Sequence, residues 1–432
     1  MISTLSLVPF YGVPLALAIG GWAIVHAQAT RRNRALLSHN RASGLAEPPG
    51  LHPVIDAAQC IGCGACVRAC PEQDVLGLVG RVATLVEPWA CVGHGTCFAA
   101  CPTDAIRLVF GSPARGIEVP VLGPGGETSV PGIYIAGELS GLGLIRNAID
   151  QGGAAIAHLA ATLEGDDDDA LDVVIVGCGP AGMAAGLGAM AAGLRFVAID
   201  QASLGGSVAH YPRGKVVSTA PITLPVIGEV RLGSVSKEGL MAFWQEVLDR
   251  TGLTPRYEER VVSIAQESAG FVVVSDKGRY RTRRVVLAMG RGGTPRRLDV
   301  PGEDLGKVVY RLSDPGQYAG MRVMVVGGGD SALEAAIALA EFAGTRVTLV
   351  HRGGGFARAR AENRAALAQT AVAVHLGARP VSIAADAVTI ADDAGVHVVG
   401  NDAVIVCAGG TLPREWLGQL GIAVETHYGV AG

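Results

Sequence analysis

Residues 172–182 read DVVIVGCGPAG, and this stretch decides the fold of the second half of the chain. A segment of strand composition, Asp172 to Val176, runs directly into the glycine-rich turn Gly177-Cys-Gly-Pro-Ala-Gly182, and an alanine-rich segment of helical composition follows. Glycines in such a turn let the backbone approach a pyrophosphate at the helix N-terminus, where the helix dipole favours an anion. Because strand, turn and helix occur in this order, the stretch predicts a dinucleotide-binding βαβ unit.

The next predicted strand, residues 195–200, ends in the acidic residue Asp200. A carboxylate at this position accepts hydrogen bonds from the ribose hydroxyls of an adenosine. Cys178 lies inside the turn, where a small packing residue is favoured over a reactive thiol. The cofactor-binding residues predicted for this unit are Gly177, Gly179, Pro180, Ala181, Gly182 and Asp200.

The same pattern occurs a second time, with a different ending. A strand over residues 322–326 leads into Gly327-Gly-Gly-Asp-Ser-Ala332, and the following strand ends in His351 and Arg352. A carboxylate there would repel a 2′-phosphate, whereas Arg352 and nearby Arg358 can bind it, which favours NADPH over NADH. A solvated basic turn is the alternative for Arg358. The residues predicted to bind this second dinucleotide are Gly327, Gly329, Ala332, His351, Arg352 and Arg358.

Seven of the nine cysteines lie between Cys60 and Cys101, in two segments that align residue for residue. Residues 60–71 read CIGCGACVRACP and residues 91–102 read CVGHGTCFAACP. The first has the C-x2-C-x2-C-x3-C-P spacing of bacterial iron–sulfur ferredoxins, in which the fourth cysteine binds the other cluster. A zinc site is disfavoured, because zinc motifs separate two cysteine pairs. The predicted ligands are Cys60, Cys63, Cys66 and Cys101 for one [4Fe–4S] cluster, and Cys91, His94, Cys97 and Cys70 for the second.

His94 stands where the second segment should carry a cysteine. A neutral imidazole is a competent iron ligand and raises the reduction potential, as in Rieske centres. Three states of the second site remain open: a His-ligated [4Fe–4S] cluster, a three-iron cluster with His94 unbound, or no cluster. Residues 57–110 as a whole resemble the two-cluster ferredoxin domain.

The N-terminal segment from Leu5 to Ala27 contains no Asp, Glu, Lys or Arg. As a helix it is long enough to span the roughly 30 Å hydrocarbon core of a bilayer. Arg31, Arg32 and Arg34 follow, and the positive-inside rule places them, with the rest of the chain, on the cytoplasmic face of the cytoplasmic membrane. A single-pass anchor is therefore predicted. The alternatives are a cleaved signal peptide, which lacks its basic n-region here, and a buried core helix.

Together, the two glycine-rich units resemble the flavoproteins related to thioredoxin reductase, over residues 171–432. The resemblance implies FAD in the first unit and NADPH in the second, with 288–290 and 407–409 as the crossovers between them. Residues 204–207 and 210–215 are closer to the branch that includes bacillithiol disulfide reductase. One departure is that residues 308–315 lack the C-x-x-C pair of thioredoxin reductases, so their dithiol chemistry is not expected.

The second departure is that the family's FAD-closing segment is not found after the second unit but upstream of the first. Residues 128–138 resemble the strand that ends in Gly-Asp beside the flavin, with Glu138 in place of the aspartate, and residues 146–153 resemble the helix that follows. The resemblance implies that Gly137 and Glu138 contact FAD. A circular permutation explains the displacement and is tolerated where chain ends lie close together.

The fold class predicted is α/β, with two Rossmann-like dinucleotide-binding domains, a small α+β ferredoxin domain and an N-terminal transmembrane helix. The predicted organisation is an anchor (1–30), a linker (31–56), a ferredoxin domain (57–110), a permuted FAD segment (111–165), an FAD domain (171–292), an NAD(P) domain (293–408) and a return to the FAD domain (409–432).

The predicted function is that of a membrane-anchored NAD(P)H-, FAD- and iron–sulfur-dependent oxidoreductase that exchanges electrons with a redox protein or quinone. A homodimer and a monomer both remain open as its assembly. A formal charge of −4 and a pI near 6.2 give no basic footprint for nucleic acid. Two alternatives are a low-molecular-weight disulfide reductase that uses Cys178 and a non-enzymatic redox sensor or assembly subunit.

Overall fold

The computed structural model describes residues 8–42, 48, 50–72, 74–113, 116–165, 169–211, 215–219, 221–267, 270–291, 296–356, 359–410 and 412–429. The chain divides into two compact units. The first comprises Met1–Ile117 with His427–Gly432, and the second comprises Glu118–Thr426.

The first unit contains the cysteine repeat. Its elements are α1 (Val8–Ala42), β1 (Leu51–Ile55), α2 (Ala65–Ala69), β2 (Leu76–Val79), β3 (Val82–Leu85), α3 (Thr96–Ala99) and β4 (Ile106–Phe110). Strands β1 and β4 pair antiparallel, and β2 and β3 form an antiparallel hairpin. The small core between them is built from Cys66, Cys91 and Cys97 together with Val75, Leu76, Ala83 and Ile106. Three of the predicted metal ligands thus lie in the core of the unit.

Helix α1 combines two kinds of surface. By length and composition Gly12–Arg41 is apolar enough to cross a membrane, and none of its apolar window is buried, which does not fit the alternative of a core helix. Toward its C-terminus the helix contacts the cysteine domain: Asn33 Nδ2 donates to the carbonyl of Leu78 (3.1 Å), and Asn40 Nδ2 donates to that of Val86 (2.7 Å). The apolar part and the docked part therefore belong to one continuous helix.

The second unit begins with the elements around the first glycine-rich turn. They are β5 (Ile117–Pro120), β6 (Ile133–Ile135), α4 (Ile145–Thr162), β7 (Leu171–Val176), α5 (Pro180–Ala191), β8 (Phe196–Ile199), β9 (Val216–Thr219), β10 (Ile222–Leu224), β11 (Gly228–Val230), β12 (Gly233–Ser236), α6 (Lys237–Thr251), β13 (Val261–Glu267), β14 (Gly270–Ser275) and β15 (Arg279–Leu287). The sheet order is β13-β14-β15-β7-β8, and β6 pairs parallel with β15. Strand β7 and the C-terminal end of β15, Val285 to Leu287, are buried on both faces, as parallel strands covered by helices are.

The elements around the second turn repeat this plan. They are β16 (Val308–Val309), β17 (Arg322–Val326), α7 (Asp330–Ala340), β18 (Arg346–His351), α8 (Ala361–Leu367), β19 (Ala373–Leu376), β20 (Arg379–Ile383), β21 (Ala387–Asp392), β22 (Gly395–Gly400), β23 (Ala403–Val406), α9 (Arg414–Gln419) and β24 (Val424–His427). Strands β16-β23-β17-β18-β19 form a parallel sheet, and β20-β21-β22 form an antiparallel one. The prediction of an α/β fold with two Rossmann-like halves is confirmed.

Candidate cofactor sites

The first glycine-rich turn lies between β7 and α5 and is packed so closely that side chains are excluded. Gly177 has a φ of 99°, and a Cβ on it would lie 2.6 Å from the carbonyl oxygen of Ala288. A Cβ on Gly182 would lie 1.8 Å from the carbonyl oxygen of Gly177. Gly179 is different: the nearest heavy atom to a Cβ there is the Cα of Gly206, at 3.8 Å. The turn is thus closed on its protein side, while the second glycine has room for backbone contact with a ligand.

Asp200 lies at the end of β8 and fixes the turn in place. Its Oδ2 accepts from the backbone N–H of Cys178 (2.6 Å), and its Oδ1 accepts from that of Ala202 (2.8 Å). The carboxylate is 9% exposed. The structure therefore gives Asp200 a loop-fixing role that the sequence pattern did not reveal, at the position from which such a carboxylate reaches a ribose.

Cys178 and Tyr257 lie beside this carboxylate. Burial, with a smaller contribution from Asp200, raises the pKa of the Cys178 thiol well above its ordinary value. The hydroxyl of Tyr257 is buried without a hydrogen-bond partner among the described residues, and burial followed by Cys178 and Asp200 raises its pKa. An orphaned buried hydroxyl next to the turn fits a site completed by a polar ligand such as the adenosine half of FAD.

The upstream segment lies against the same turn. The backbone N–H of Gly137 donates to Oε1 of Gln151 (2.7 Å), which ties the end of β6 to α4. A Cβ on Gly137 would lie 3.1 Å from Cβ of Ala181, and a Cβ on Gly152 would lie 2.1 Å from the carbonyl oxygen of Ala181. The structure thus places Gly137 next to the first turn, with Glu138 exposed beside it.

Arg291, which follows β15, was not singled out from the sequence. Its Nε is buried without a hydrogen-bond partner among the described residues. Burial lowers its pKa, and nearby Glu138 opposes the shift. A half-buried guanidinium near Glu138 adds a second orphaned donor on the FAD side. In the sequence, Arg291 is distinguished only by the two glycines that follow it, and this signal is too weak to identify Arg291 as a site residue.

The second glycine-rich turn, between β17 and α7, has the same closed base. A Cβ on Gly327 would lie 2.5 Å from the carbonyl oxygen of Cys407, and one on Gly328 would lie 2.2 Å from the ring of His351. The third glycine is replaced by the buried Ala332. Gly329 has no heavy atom within 4 Å of where its Cβ would stand. The ring of His351 thus lies directly beneath the turn. It also stacks on Phe356, with ring centroids 5.7 Å apart.

A cavity of about 890 Å³ opens in front of the second turn. Its wall carries more basic side chains than the sequence predicted; they are Lys215, Arg296, Arg297, Arg311, Arg352 and Arg379. Lys215 donates to Glu334 Oε2 at 2.8 Å, and Arg352 is exposed at the cavity edge. Arg296 and Arg297 are neighbours in one segment and Arg379 lies in another, and both segments are distant in sequence from the turn, so no local pattern could have identified them. Arg358 lies outside the described residues.

The cysteines of the first predicted cluster face one another. Cys60, Cys63, Cys66 and Cys101 all line one small cavity, together with Gly64 and Pro102. Cys63 is exposed and Cys66 is buried. Gly64, in the left-handed conformation with a φ of 69°, turns the chain into α2. Although Cys101 is far from the other three in sequence, the fold brings it to the same cavity.

Three residues of the second predicted ligand set, Cys70, Cys91 and Cys97, act on one another electrostatically. Burial raises the pKa of the Cys91 thiol to about 11, with further contributions from nearby Cys97 and Cys70. Burial likewise raises the pKa of Cys97, and Cys70 adds to that shift. Such mutual effects require that the three thiols lie near one another. His94 is half-buried in the turn between Cys91 and Cys97.

Within the described ranges, no three or more His, Cys, Asp or Glu side chains are arranged to bind a single metal ion. A zinc ion needs four ligands that converge on one point. An iron–sulfur cluster spreads its cysteines, because different irons of the cluster take different thiolates. The four cysteines that line one small cavity fit the ligand set of an iron–sulfur cluster.

Comparison with known proteins agrees with this division. A family model described as pyridine nucleotide-disulphide oxidoreductase matches residues 174–428, and a 4Fe-4S dicluster domain model matches residues 52–102. A ferredoxin–NADP reductase of Ignicoccus hospitalis is 30% identical over 259 residues, which cover 58% of this chain and 81% of the relative. A thioredoxin reductase of Helicobacter pylori is 32% identical over 43% of this chain and 57% of its own length.

Among solved structures, the bacillithiol disulfide reductase of Staphylococcus aureus superposes with a TM-score of 0.53 at 22% identity, over 58% of this chain and 79% of that one. This similarity supports the fold. Since the first family model covers more than half of the chain, the protein belongs to the pyridine nucleotide-disulphide oxidoreductases, and it is an FAD- and NAD(P)-dependent oxidoreductase that also carries an iron–sulfur ferredoxin domain.

Proposed function

We propose that this enzyme moves electrons between NADPH, FAD and two iron–sulfur clusters, and between the clusters and a redox partner at a membrane. The observation that carries the proposal is the cysteine distribution. The sequence of the second unit contains only two cysteines, Cys178 and Cys407. Burial raises the pKa of Cys407 to about 12, and burial also raises the pKa of Cys178 well above its ordinary value. Neither thiol is a ready nucleophile, so the electrons need an acceptor other than a disulfide.

The groups implied by the two units supply complementary chemistry: NADPH delivers an electron pair as hydride, FAD accepts pairs and releases single electrons, and clusters carry one each. The chain's own residues bind and orient them. Gly179 and Gly329 leave room for two pyrophosphates, and Asp200 holds the first turn in shape through Cys178 N–H. Cys60, Cys63, Cys66 and Cys101 would hold one cluster, and Cys70, Cys91 and Cys97 the other.

We assign the structural segments to these tasks as follows. The FAD half comprises residues 111–165, 171–292 and 409–432, because β6 pairs with β15 and α4 packs on α5 through Gly152. The NADPH half comprises residues 293–408. The ferredoxin domain comprises residues 57–110. The first residues form the anchor, supported by the exposed apolar face of α1 and by the arginines that follow it.

NADPH is favoured over NADH because the cavity at the second turn is rich in guanidinium groups. Arg352 stands at the end of β18, where NADH-specific folds carry an acidic residue. Arg297 and Arg379 lie on the same cavity wall, although Arg297 also pairs with Glu303 and Asp304. A 2′-phosphate would form charge-assisted hydrogen bonds with such groups.

For the second cluster we propose that His94 is an iron ligand. Replacement of a thiolate by a neutral imidazole removes one negative charge, so the potential of this cluster is expected to exceed that of the all-cysteine cluster. An anaerobic potentiometric titration followed by electron paramagnetic resonance should show two reduction steps. The higher step should fall in His94→Cys, and His94→Ala should lose the cluster or one of its irons. If His94→Ala leaves the electron paramagnetic resonance signals and the reduction potentials unchanged, His94 is not an iron ligand.

The function itself is tested by steady-state oxidation of NADPH with the neutral quinone menadione as acceptor. Turnover is expected, and a redox sensor or assembly subunit would give none. Thiol production from a low-molecular-weight disulfide, abolished by Cys178→Ser, would support the alternative disulfide reductase. The same change is expected to leave menadione reduction within about twofold of the wild-type rate, because Cys178 contributes only its backbone N–H to the turn.

A further inference from the structure

One end of the first cysteine cavity opens to solvent. Among its four cysteines, Cys66 is buried, Cys60 and Cys101 are partly buried, and Cys63 alone is exposed. Ile61, two residues before it, is 64% exposed. An apolar side chain this open, next to a predicted cluster ligand, marks the point at which another molecule can come nearest to the cluster.

Arginine side chains surround this opening. Arg68 Nη1 donates to the carbonyl of Cys63 at 3.2 Å, so its guanidinium folds back over the loop. The backbone of Arg81 lies directly against the loop, because a Cβ on Gly62 would be 2.2 Å from its carbonyl oxygen. Both arginines are exposed.

Helix α1 adds a third arginine. The guanidinium of Arg34 lies 4.0 Å from where a Cβ on Gly80 would stand, and Gly80 precedes Arg81 in the β2–β3 turn. Arg34 is exposed as well. We call the set of Arg34, Ile61, Cys63, Arg68 and Arg81 the Cys63 patch.

Acidic residues also lie near this cavity. Asp104 follows Thr103 and Asp56 follows Ile55, and both of those neighbours line the cavity. The carboxylate of Asp56 accepts from Ala58 N–H at 2.8 Å. Asp74 pairs with Arg32. The Cys63 patch itself contains three arginines and no acidic residue, on a chain whose formal charge is −4.

We propose that the Cys63 patch is the docking surface for an acidic one-electron carrier protein, an inference that rests on the proposed function. An apolar centre within a charged rim is the usual anatomy of a protein interface, and weak redox encounters bury little area. Complementary charge increases the rate of encounter. A second copy of the chain that docked through the same surface would bring like charges together. A neutral quinone would gain no electrostatic attraction from three guanidinium groups.

The electron balance is simple. One NADPH and two oxidised carriers give NADP⁺, one proton and two reduced carriers, and the reverse reaction consumes the same species. Each encounter at the patch moves one electron, and no bond to the carrier forms. Because the carrier takes a single electron, two encounters follow each hydride.

The test uses the full chain in nanodiscs of neutral phosphatidylcholine, with an acidic plant-type ferredoxin and the basic cytochrome c as probes. In Arg68→Glu/Arg81→Glu, the bimolecular rate constant for ferredoxin should fall about tenfold at low salt, and that for cytochrome c should rise. The dissociation constant for ferredoxin, measured directly by calorimetry, should increase in parallel. Both differences should shrink as ionic strength rises.

Arg107→Glu is the matched control for each single variant: it makes the same change of charge on the exposed side of β4, next to Ile106, whose side chain is buried. It should leave both carriers at the wild-type rate. Because Arg68 also supports the loop, Arg81→Glu and Arg34→Glu are tested singly, and iron content verifies that the clusters are intact. Menadione reduction by NADPH in every variant reports separately on the proposed function.

Two results would overturn the proposal while leaving the proposed function standing. In the first, menadione is reduced but ferredoxin binds and reacts equally well with wild type and patch variants. In the second, the variants lose only their association with vesicles that contain anionic phosphatidylglycerol, and the patch is then a lipid contact. An absence of NADPH oxidation with every acceptor would instead contradict the proposed function.

Discussion

The two glycine-rich turns of the second unit share a backbone plan and differ in what closes them. At the first turn, Gly182 packs against Gly177 and a carboxylate, Asp200, holds the turn from behind. At the second, Ala332 takes the place of the third glycine, and the ring of His351 fills the floor. The first turn is therefore the tighter and more enclosed site, as expected for a resident cofactor. The second opens onto a basic cavity, as expected for a dinucleotide that enters and leaves.

The largest expected effect concerns the third position of each turn. Gly182→Ala would place a Cβ 1.8 Å from a backbone carbonyl that cannot move without breaking the turn, so we expect loss of FAD and a destabilisation of at least about 3 kcal/mol. Ala332→Gly, its counterpart, should cost only about 1 kcal/mol through helix propensity. Thermal unfolding and flavin content measure both. Equal, small effects would mean that the two turns are not closed differently.

The upstream segment gives the next largest effect. In Gly152→Ala, the added methyl would lie 2.1 Å from the carbonyl oxygen of Ala181 and push α4 away from the first turn, so FAD should dissociate on dilution. Gly153→Ala is the matched control, because nothing lies within 4 Å of its Cβ position, and it should stabilise α4 slightly. Retention of FAD in Gly152→Ala would mean that this segment does not contribute to the FAD site.

The second glycines should separate the two dinucleotides. Gly179→Ala and Gly329→Ala both have space for a methyl group within the protein, so both variants should fold. Each methyl group would occupy space that a pyrophosphate needs, and affinity should fall at least about tenfold, or ~1.4 kcal/mol. Gly179→Ala should weaken only FAD, and Gly329→Ala only NADPH, as measured by equilibrium titration. A loss of both dinucleotides in either variant would contradict independent sites.

The most selective effect concerns the choice of nicotinamide cofactor. Arg352→Ala removes a charge-assisted partner worth about 1.5–3 kcal/mol. The KM for NADPH should rise at least tenfold, and the KM for NADH should change little. If the KM values for both cofactors rise together, Arg352 has a structural role. A rise in the KM for NADPH that appears only in Arg297→Ala or Arg379→Ala would place the phosphate site at those arginines instead.

The strand, turn and helix pattern around both turns was readable from the sequence because its signals are local. The same holds for the cysteine spacing, which predicted the set that lines the first cavity. What the sequence could not reveal depends on contacts between distant segments. Asp200 holds the first turn through a backbone N–H, and Arg297 and Arg379 line one cavity although they are distant in sequence. Exposure of Cys63 and of the arginines around it is likewise a property of the folded chain.

We propose that the nicotinamide, flavin and iron–sulfur groups form one connected electron path. The most direct test mixes the fully loaded protein with NADPH in one anaerobic experiment, and the pre-reduced protein with NADP⁺ in another. Total electrons and total nicotinamide are kept equal. Rapid freezing followed by electron paramagnetic resonance then measures the reduced clusters. Both mixtures are expected to reach the same fraction of reduced clusters, whatever the direction of flow. Clusters that keep their starting state in both mixtures, while the flavin equilibrates, would contradict this proposal.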